Sequence, residues 1–189
     1  MTDIDSTVTT TVILGSGAYG TTLTIDTGGS VLPNSYSGTL SVGANAVDIP
    51  VLNSLFTNNG NVVGAMGGAE QLGNIGAVKG GNGGIGVDVS AGAATLTNTG
   101  HITGGFGGAN AGTDYGGSGG IGVSLGAATL INSGTITGGE GDFGRSIAGL
   151  GGDAVTVATG GTITNTGILL GGMGGGSNYT AAMAAPACT

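Results

Sequence analysis

A phrase of about a dozen residues recurs three times without gaps. It limits what this chain can fold into more than any other feature. The first copy is Ala94-Thr95-Leu96-Thr97-Asn98-Thr99-Gly100-His101-Ile102-Thr103-Gly104-Gly105. The second is Ala128-Thr129-Leu130-Ile131-Asn132-Ser133-Gly134-Thr135-Ile136-Thr137-Gly138-Gly139. The third is Gly161-Thr162-Ile163-Thr164-Asn165-Thr166-Gly167-Ile168-Leu169-Leu170-Gly171-Gly172, and Phe56-Thr57-Asn58-Asn59-Gly60-Asn61-Val62-Val63-Gly64 is a weaker relative. The asparagines at 58, 98, 132 and 165 are thus 40, 34 and 33 residues apart. Periods of this length belong to solenoids, in which each unit is too small to bury its own apolar face and stacks on its neighbours.

Inside each unit the period is two. Leu96, Asn98, Gly100 and Ile102 share one face, and Thr95, Thr97, Thr99, His101 and Thr103 share the other. Alternation of this kind is that of a half-buried strand. A second apolar alternation precedes each strong copy, at Gly84 to Val89, Gly120 to Leu125 and Gly152 to Val157. Stacked copies would align Leu96, Leu130 and Ile163 in one row, Val87, Val123 and Val155 in another, and Ile102, Ile136 and Leu169 in a third. Asn58, Asn98, Asn132 and Asn165 would form an inward ladder at a corner, where amide-to-amide hydrogen bonds offset burial. Gly60, Gly100, Gly134 and Gly167 would turn that corner, since glycine accepts positive φ. The expected fold is all-β: a parallel β-helix (β-solenoid) of about five to seven coils rising ~4.8 Å each.

Glycine supplies 47 of 189 residues. Collagen would need glycine at every third position and abundant proline, and the chain has neither. Disorder of the whole chain conflicts with its regularly spaced Val, Ile and Thr. The glycine-rich stretches between Ile102 and Ile121, and between Ile136 and Val155, read as loops ejected from one corner. Most of their glycines are then expected to be individually replaceable. Phe106, Tyr115 and Phe143 are the aromatics of these stretches, either lying back on the coil or forming a contact surface for a partner. The chain divides into residues 1–46 (divergent first coils), 47–175 (the repetitive β-helix) and 176–189 (an Ala-rich tail or cap, with a turn or two of helix allowed at 180–185).

Charge is scarce: 10 acids against Lys79 and Arg145. A basic footprint for nucleic acid is missing, and no run approaches the roughly 20 apolar residues of a membrane span. Gly15-Ser16-Gly17-Ala18-Tyr19-Gly20 matches a dinucleotide fingerprint formally, but a strand pattern at 21–25 follows where a helix is required. Gly83-Gly84-Ile85-Gly86-Val87-Asp88 resembles the opening of a calcium-binding nonapeptide. The next copies put Ser124 and Thr156 at the Asp88 position. Glu140, Asp142 and Asp153 form a looser acidic group. These four acids are weak metal candidates, and no metal or other cofactor is expected. Glycoside hydrolysis needs paired carboxylates, yet Asp26, Asp48, Glu70, Asp88 and Asp114 are scattered. His101 stands at an outward position without nucleophile or acid partners, so no enzyme is expected. Asn178-Tyr179-Thr180 fits a glycosylation sequon that reads as incidental.

The units Gly-Ile-Gly-Val and Thr-Leu-Thr-Asn-Thr-Gly-His-Ile-Thr-Gly-Gly, over residues 47–175, resemble the repeats of bacterial autotransporter passenger domains and related β-helical adhesins. The resemblance implies an extracellular or cell-surface structural or adhesive module, with host or surface glycans or proteins as partners. Residues 1–5 carry neither a basic nor an apolar signal region, and no membrane barrel pattern is present, so the export route is not written here. Some similar repeats precede a self-processing Hint domain that begins with Cys, and Cys188 is a candidate junction. Two alternatives accompany this reading. One is a filament subunit stacking on itself end to end, or associating laterally. The other is a polysaccharide-active or calcium-dependent enzyme.

Overall fold

A computed structural model describes residues 2–35, 41–69, 79–109, 115–158, 160–177 and 183–189. Among these described residues the regular elements are seventeen short strands. The first coil contributes β1 (Thr2–Ile4), β2 (Thr7–Val8) and β3 (Val12–Ile13). The second contributes β4 (Thr22–Ile25), β5 (Ser30–Val31) and β6 (Val47–Asp48). The third has β7 (Leu55–Asn58), β8 (Asn61–Val63) and β9 (Val87–Val89). The fourth has β10 (Thr95–Asn98), β11 (His101–Thr103) and β12 (Val123–Leu125). The fifth has β13 (Thr129–Asn132), β14 (Thr135–Thr137) and β15 (Val155–Val157). The sixth has β16 (Thr162–Asn165) and β17 (Ile168–Leu170).

These strands form three sheets, ordered β1-β4-β7-β10-β13-β16, β2-β5-β8-β11-β14-β17 and β3-β6-β9-β12-β15. Each neighbour in a sheet is the equivalent strand of the next coil, and the pairings are parallel. The molecule is a three-sided parallel β-helix of six coils, within the expected range. The side-chain rows stack as the repeat requires. Leu96 pairs with Leu130 and Leu130 with Ile163, Val123 pairs with both Val87 and Val155, and Ile136 pairs with Ile102 and Leu169. Rows of this kind fill the interior between the sheets, and Phe56, Leu96, Ile102, Leu130 and Ile136 are fully buried.

The divergent first residues belong to the same stack. β1 runs in register beside β4, so Ile4, Ile25 and Asn58 share a column. Thr22 to Ile25 form a strand as their pattern predicts, Val8 and Val12 fall in two separate short strands, and Val42 lies outside any strand. The tail serves the stack too. Cys188 pairs with Val155, and Val157 N–H donates to the Thr189 carbonyl at 2.9 Å, so residues 187–189 extend the third sheet. Residues 183–185 are not helical. The helix allowed at 180–182, and the Asn178 sequon, lie outside the described residues.

The largest departure from expectation concerns the glycine-rich stretches. They do leave the coil on one side, between the second and third sheets. Their inner portions are not loops. Residues 64–69 and 104–109 follow one burial pattern, in which two buried positions alternate with one exposed position, and 80–84 continue it on the way back. Main-chain bonding has the same period of three. Gly104 and Gly107 donate to Thr137 and Glu140 of the next outgoing segment (2.9 Å each). Gly105 and Gly108 donate instead to Gly84 and Gly81 of a returning segment (2.7 Å each). A backbone with three residues per turn and no internal hydrogen bonds is of the polyproline II type, so its amides must find partners on neighbouring segments. One unbroken relay passes through Ala44, Ala65, Gly84, Gly105, Gly120, Gly139, Gly152, Gly172 and Ala185, each N–H donating to the preceding member at 2.7–3.0 Å. The result is a two-ply glycine layer fused to the β-helix.

Candidate functional site

The polar and exposed side chains gather in three features: the asparagine corner, the two faces of the glycine layer, and the scattered acids. At the corner, Asn58 Nδ2 donates to Asn98 Oδ1 (2.8 Å), Asn98 Nδ2 to Asn132 Oδ1 (2.7 Å), and Asn132 Nδ2 to Asn165 Oδ1 (2.7 Å). Asn58, Asn98 and Asn132 are buried, and Asn165 is exposed at the last coil. Asn98, Asn132 and Asn165 Nδ2 also reach the carbonyl two residues on, as where Asn98 Nδ2 meets the Gly100 carbonyl at 3.3 Å, whereas Asn58 Nδ2 reaches the His101 carbonyl of the next coil at 3.1 Å. Among the described residues no buried side-chain polar atom lacks a partner.

The corner glycines correct one expectation. Gly60, Gly100, Gly134 and Gly167 do not have positive φ; among the described residues the glycines that do are Gly15, Gly17 and Gly160. Contact is the reason for glycine instead. A Cβ on Gly100 would strike the Gly60 carbonyl oxygen and approach the Asn59 carbonyl carbon to 2.7 Å. Positive φ falls on Asn53 (57°) and Ala93 (56°), at the corner leaving the third sheet.

The glycine layer corrects another expectation, that most of its glycines are replaceable. A Cβ on Gly105 would strike the Ala65 carbonyl oxygen and come within 2.8 Å of the Gly84 nitrogen. The same holds for most layer glycines, whose nearest would-be neighbour is backbone of an adjacent segment. Every third residue is the one turned outward, and the side chains at these positions form columns. On the outgoing face the column is Met66, Phe106, Glu140 and Met173; on the returning face it is Val42, Asn82, Ser118 and Leu150. Asn82 Oδ1 accepts from Ser118 N–H (3.2 Å), and Ser118 Oγ accepts from Leu150 N–H (3.3 Å).

The three candidate contact aromatics are therefore not one group. Phe106 and Phe143 project from the outgoing face and are about half exposed (48% and 47%). Tyr115 belongs to the returning segments, bridged between Lys79 and Ile147 and half-buried. A shallow groove on the outgoing face is lined by Met66, Phe106, Gly107, Glu140, Gly141 and Asp142.

The acids stay apart. Asp88 lies on the third sheet beside Asp48. Glu140 and Asp142 line the groove, and Asp142 Oδ1 accepts from Phe143 N–H at 2.7 Å. Asp153 accepts from the Thr189 hydroxyl at 2.9 Å. Among the described residues no three His, Cys, Asp or Glu are placed to hold a metal ion together. Burial, with the neighbouring Asp88 charge, pushes Asp48 above its ordinary value of 3.8, against the opposing hydrogen bond from Asn45 Nδ2 (2.8 Å). Pairing of Asp48 with Asp88 was not visible in the repeat, because the second coil lacks the repeated phrase. The Gly15–Gly20 segment is a tight turn in which Ser16 bridges Tyr19, and a strand follows it. His101 is exposed on β11, in register with Asn61 and Thr135.

Fold and surface together define a glycine-layered parallel β-solenoid. No family model, curated protein or solved structure matches the chain.

Proposed function

We propose that this chain is a rigid structural and adhesive module of an extracellular surface, without catalytic activity. One observation carries the reading: on the glycine layer, the exposed side chains of the outgoing face are mostly large and apolar. Met66, Phe106, Phe143 and Met173 stand there, each more than a third exposed. Flexible Met beside aromatic rings is a surface suited to contact with varied partners. The adhesive face would meet proteins or glycans of a host or neighbouring surface. The likeness to autotransporter passenger repeats supports the cell-surface setting.

Beads coated with the chain should adhere to cells, and Phe106→Ser with Met173→Ser should remove most of that adhesion. Adhesion unchanged by the double substitution would contradict the assignment of the face. Cleavage of a polysaccharide by the chain, lost in Glu140→Gln, would contradict the non-catalytic reading.

A specific observation favours filament formation as the second reading. The last coil leaves Ile163 and Leu169 half-buried and Ile168 and Leu170 exposed (53% each), beside the strand edges of β16 and β17. Against it, the first coil would bring Ile4 to the asparagine column. Sedimentation at high concentration separates the two readings: rods that lengthen with concentration favour the filament, and monomers contradict it.

A further inference from the structure

The outer face of the first sheet is more regular than any other surface described. Two ranks of side chains cross it. One runs Leu55, Thr95, Thr129, Thr162, and the other Thr57, Thr97, Ile131, Thr164, with each residue in register with the next. Alternate residues of one strand supply the two ranks, so Thr95-Leu96-Thr97 and Thr162-Ile163-Thr164 each present a pair of threonines across an inward-facing residue, buried at Leu96 and half-buried at Ile163. Neighbours within a rank are ~4.8 Å apart, and the ranks are about 6.6 Å apart, as two residues of a parallel strand dictate. Thr24 precedes Thr57 in the second rank but is buried, so the open array begins at β7.

Three properties of this face select its ligand. Threonine is β-branched, with few χ1 rotamers, so hydroxyls and methyls are held in order before any ligand arrives. In-register stacking over a side-chain ladder is the circumstance in which a sheet stays flat, and the asparagine ladder lies at the end of these strands. Finally, the eight positions contain no charged residue and no aromatic ring. Charge would order water around itself, and an aromatic ring would be the expected platform for a sugar. An uncharged lattice of hydroxyl and methyl groups, with spacings of ~4.8 and about 6.6 Å near the two repeats of a prism face of hexagonal ice, would hold hydration water in positions that continue into the crystal.

We propose that this face binds ice. Growing a polycrystalline ice hemisphere from a dilute solution of the fluorescently labelled chain tests it directly. The unsubstituted chain should enter the ice. Thr97→Lys, which sets a cation between Thr57 and Ile131, should be excluded from it. Thr135→Lys, the same change on the second sheet, should enter like the unsubstituted chain. Circular dichroism checks that the variants are folded, and Thr164→Lys on the exposed last strand replaces Thr97→Lys if the latter misfolds. Exclusion of the unsubstituted chain, or equal entry of all variants, would overturn the proposal. So would adsorption to crystalline cellulose or chitin that Thr97→Lys abolishes, with none to ice.

Discussion

Asn132 serves both neighbouring coils at once. Its Oδ1 accepts from Asn98 and its Nδ2 donates to Asn165, while it is 1% exposed. Asn132→Ala should cost about 1–3 kcal/mol in urea unfolding, because it takes the acceptor from the buried Asn98 Nδ2 and breaks the ladder to Asn165. Asn165→Ala, at the exposed end of the ladder, should cost less. The ladder was legible in the spacing of four asparagines, but the cause of the neighbouring glycines was not. Sequence supplies the residue type, and only the packing of one coil on another separates a turn needing positive φ from a contact that leaves no space for a Cβ. Gly105→Ala should therefore destabilise by roughly 1–3 kcal/mol or more, as overpacking does. Gly20→Ala, where a Cβ meets nothing within 4 Å, should be close to neutral. Asp48 gives a pH signature of definite sign. Its folded pKa is raised above 3.8, so the fold favours the protonated acid, and stability is lost as pH rises through the folded value. Asp48→Asn should raise the melting temperature at neutral pH, and that gain should vanish in acid below the ordinary carboxylate range.

The strands were legible because period two is a strong signal over even four residues, and Leu96, Leu130 and Ile163 share one row as their spacing demands. The glycine segments were not. Gly104-Gly105-Phe106-Gly107-Gly108 has a period of three, with a side chain at every third position, but two glycines in three look like a flexible connector when only periods of 2 and 3.6 are sought. Scarcity of proline and absence of a strict Gly-X-Y repeat exclude a triple helix without excluding this single-chain layer. The consequence at this scale reverses the sequence expectation. Deleting residues 106–114 removes Gly107 and Gly108, which bond to Glu140 and Gly81, so it should broaden the thermal transition and lower its midpoint. An unchanged transition would show that the outgoing segment contributes nothing to the stack. Ile136→Asp should abolish the fold, since it places an unpaired charge at a fully buried position.

Across the whole molecule, β-helix and glycine layer solve the same problem in different ways. Six coils bury one aliphatic interior and satisfy their backbone with identical strands above and below. On one side the chain leaves that interior and satisfies its backbone with glycine segments two deep. A chain with 12 charged residues in 189 thereby holds its shape through main-chain hydrogen bonds and leaves its few large side chains in columns and ranks. The central claim is that the glycine segments are an ordered layer continuous with the coils. Amide hydrogen exchange read residue by residue over 104–108, 116–120, 138–142 and 149–152 tests it most directly. The account predicts strong protection at two amides in every three, with rapid exchange at Phe106 and Glu140, where the period turns the N–H outward. Uniformly rapid exchange through these segments, beside protected strands β10 to β15, would contradict it.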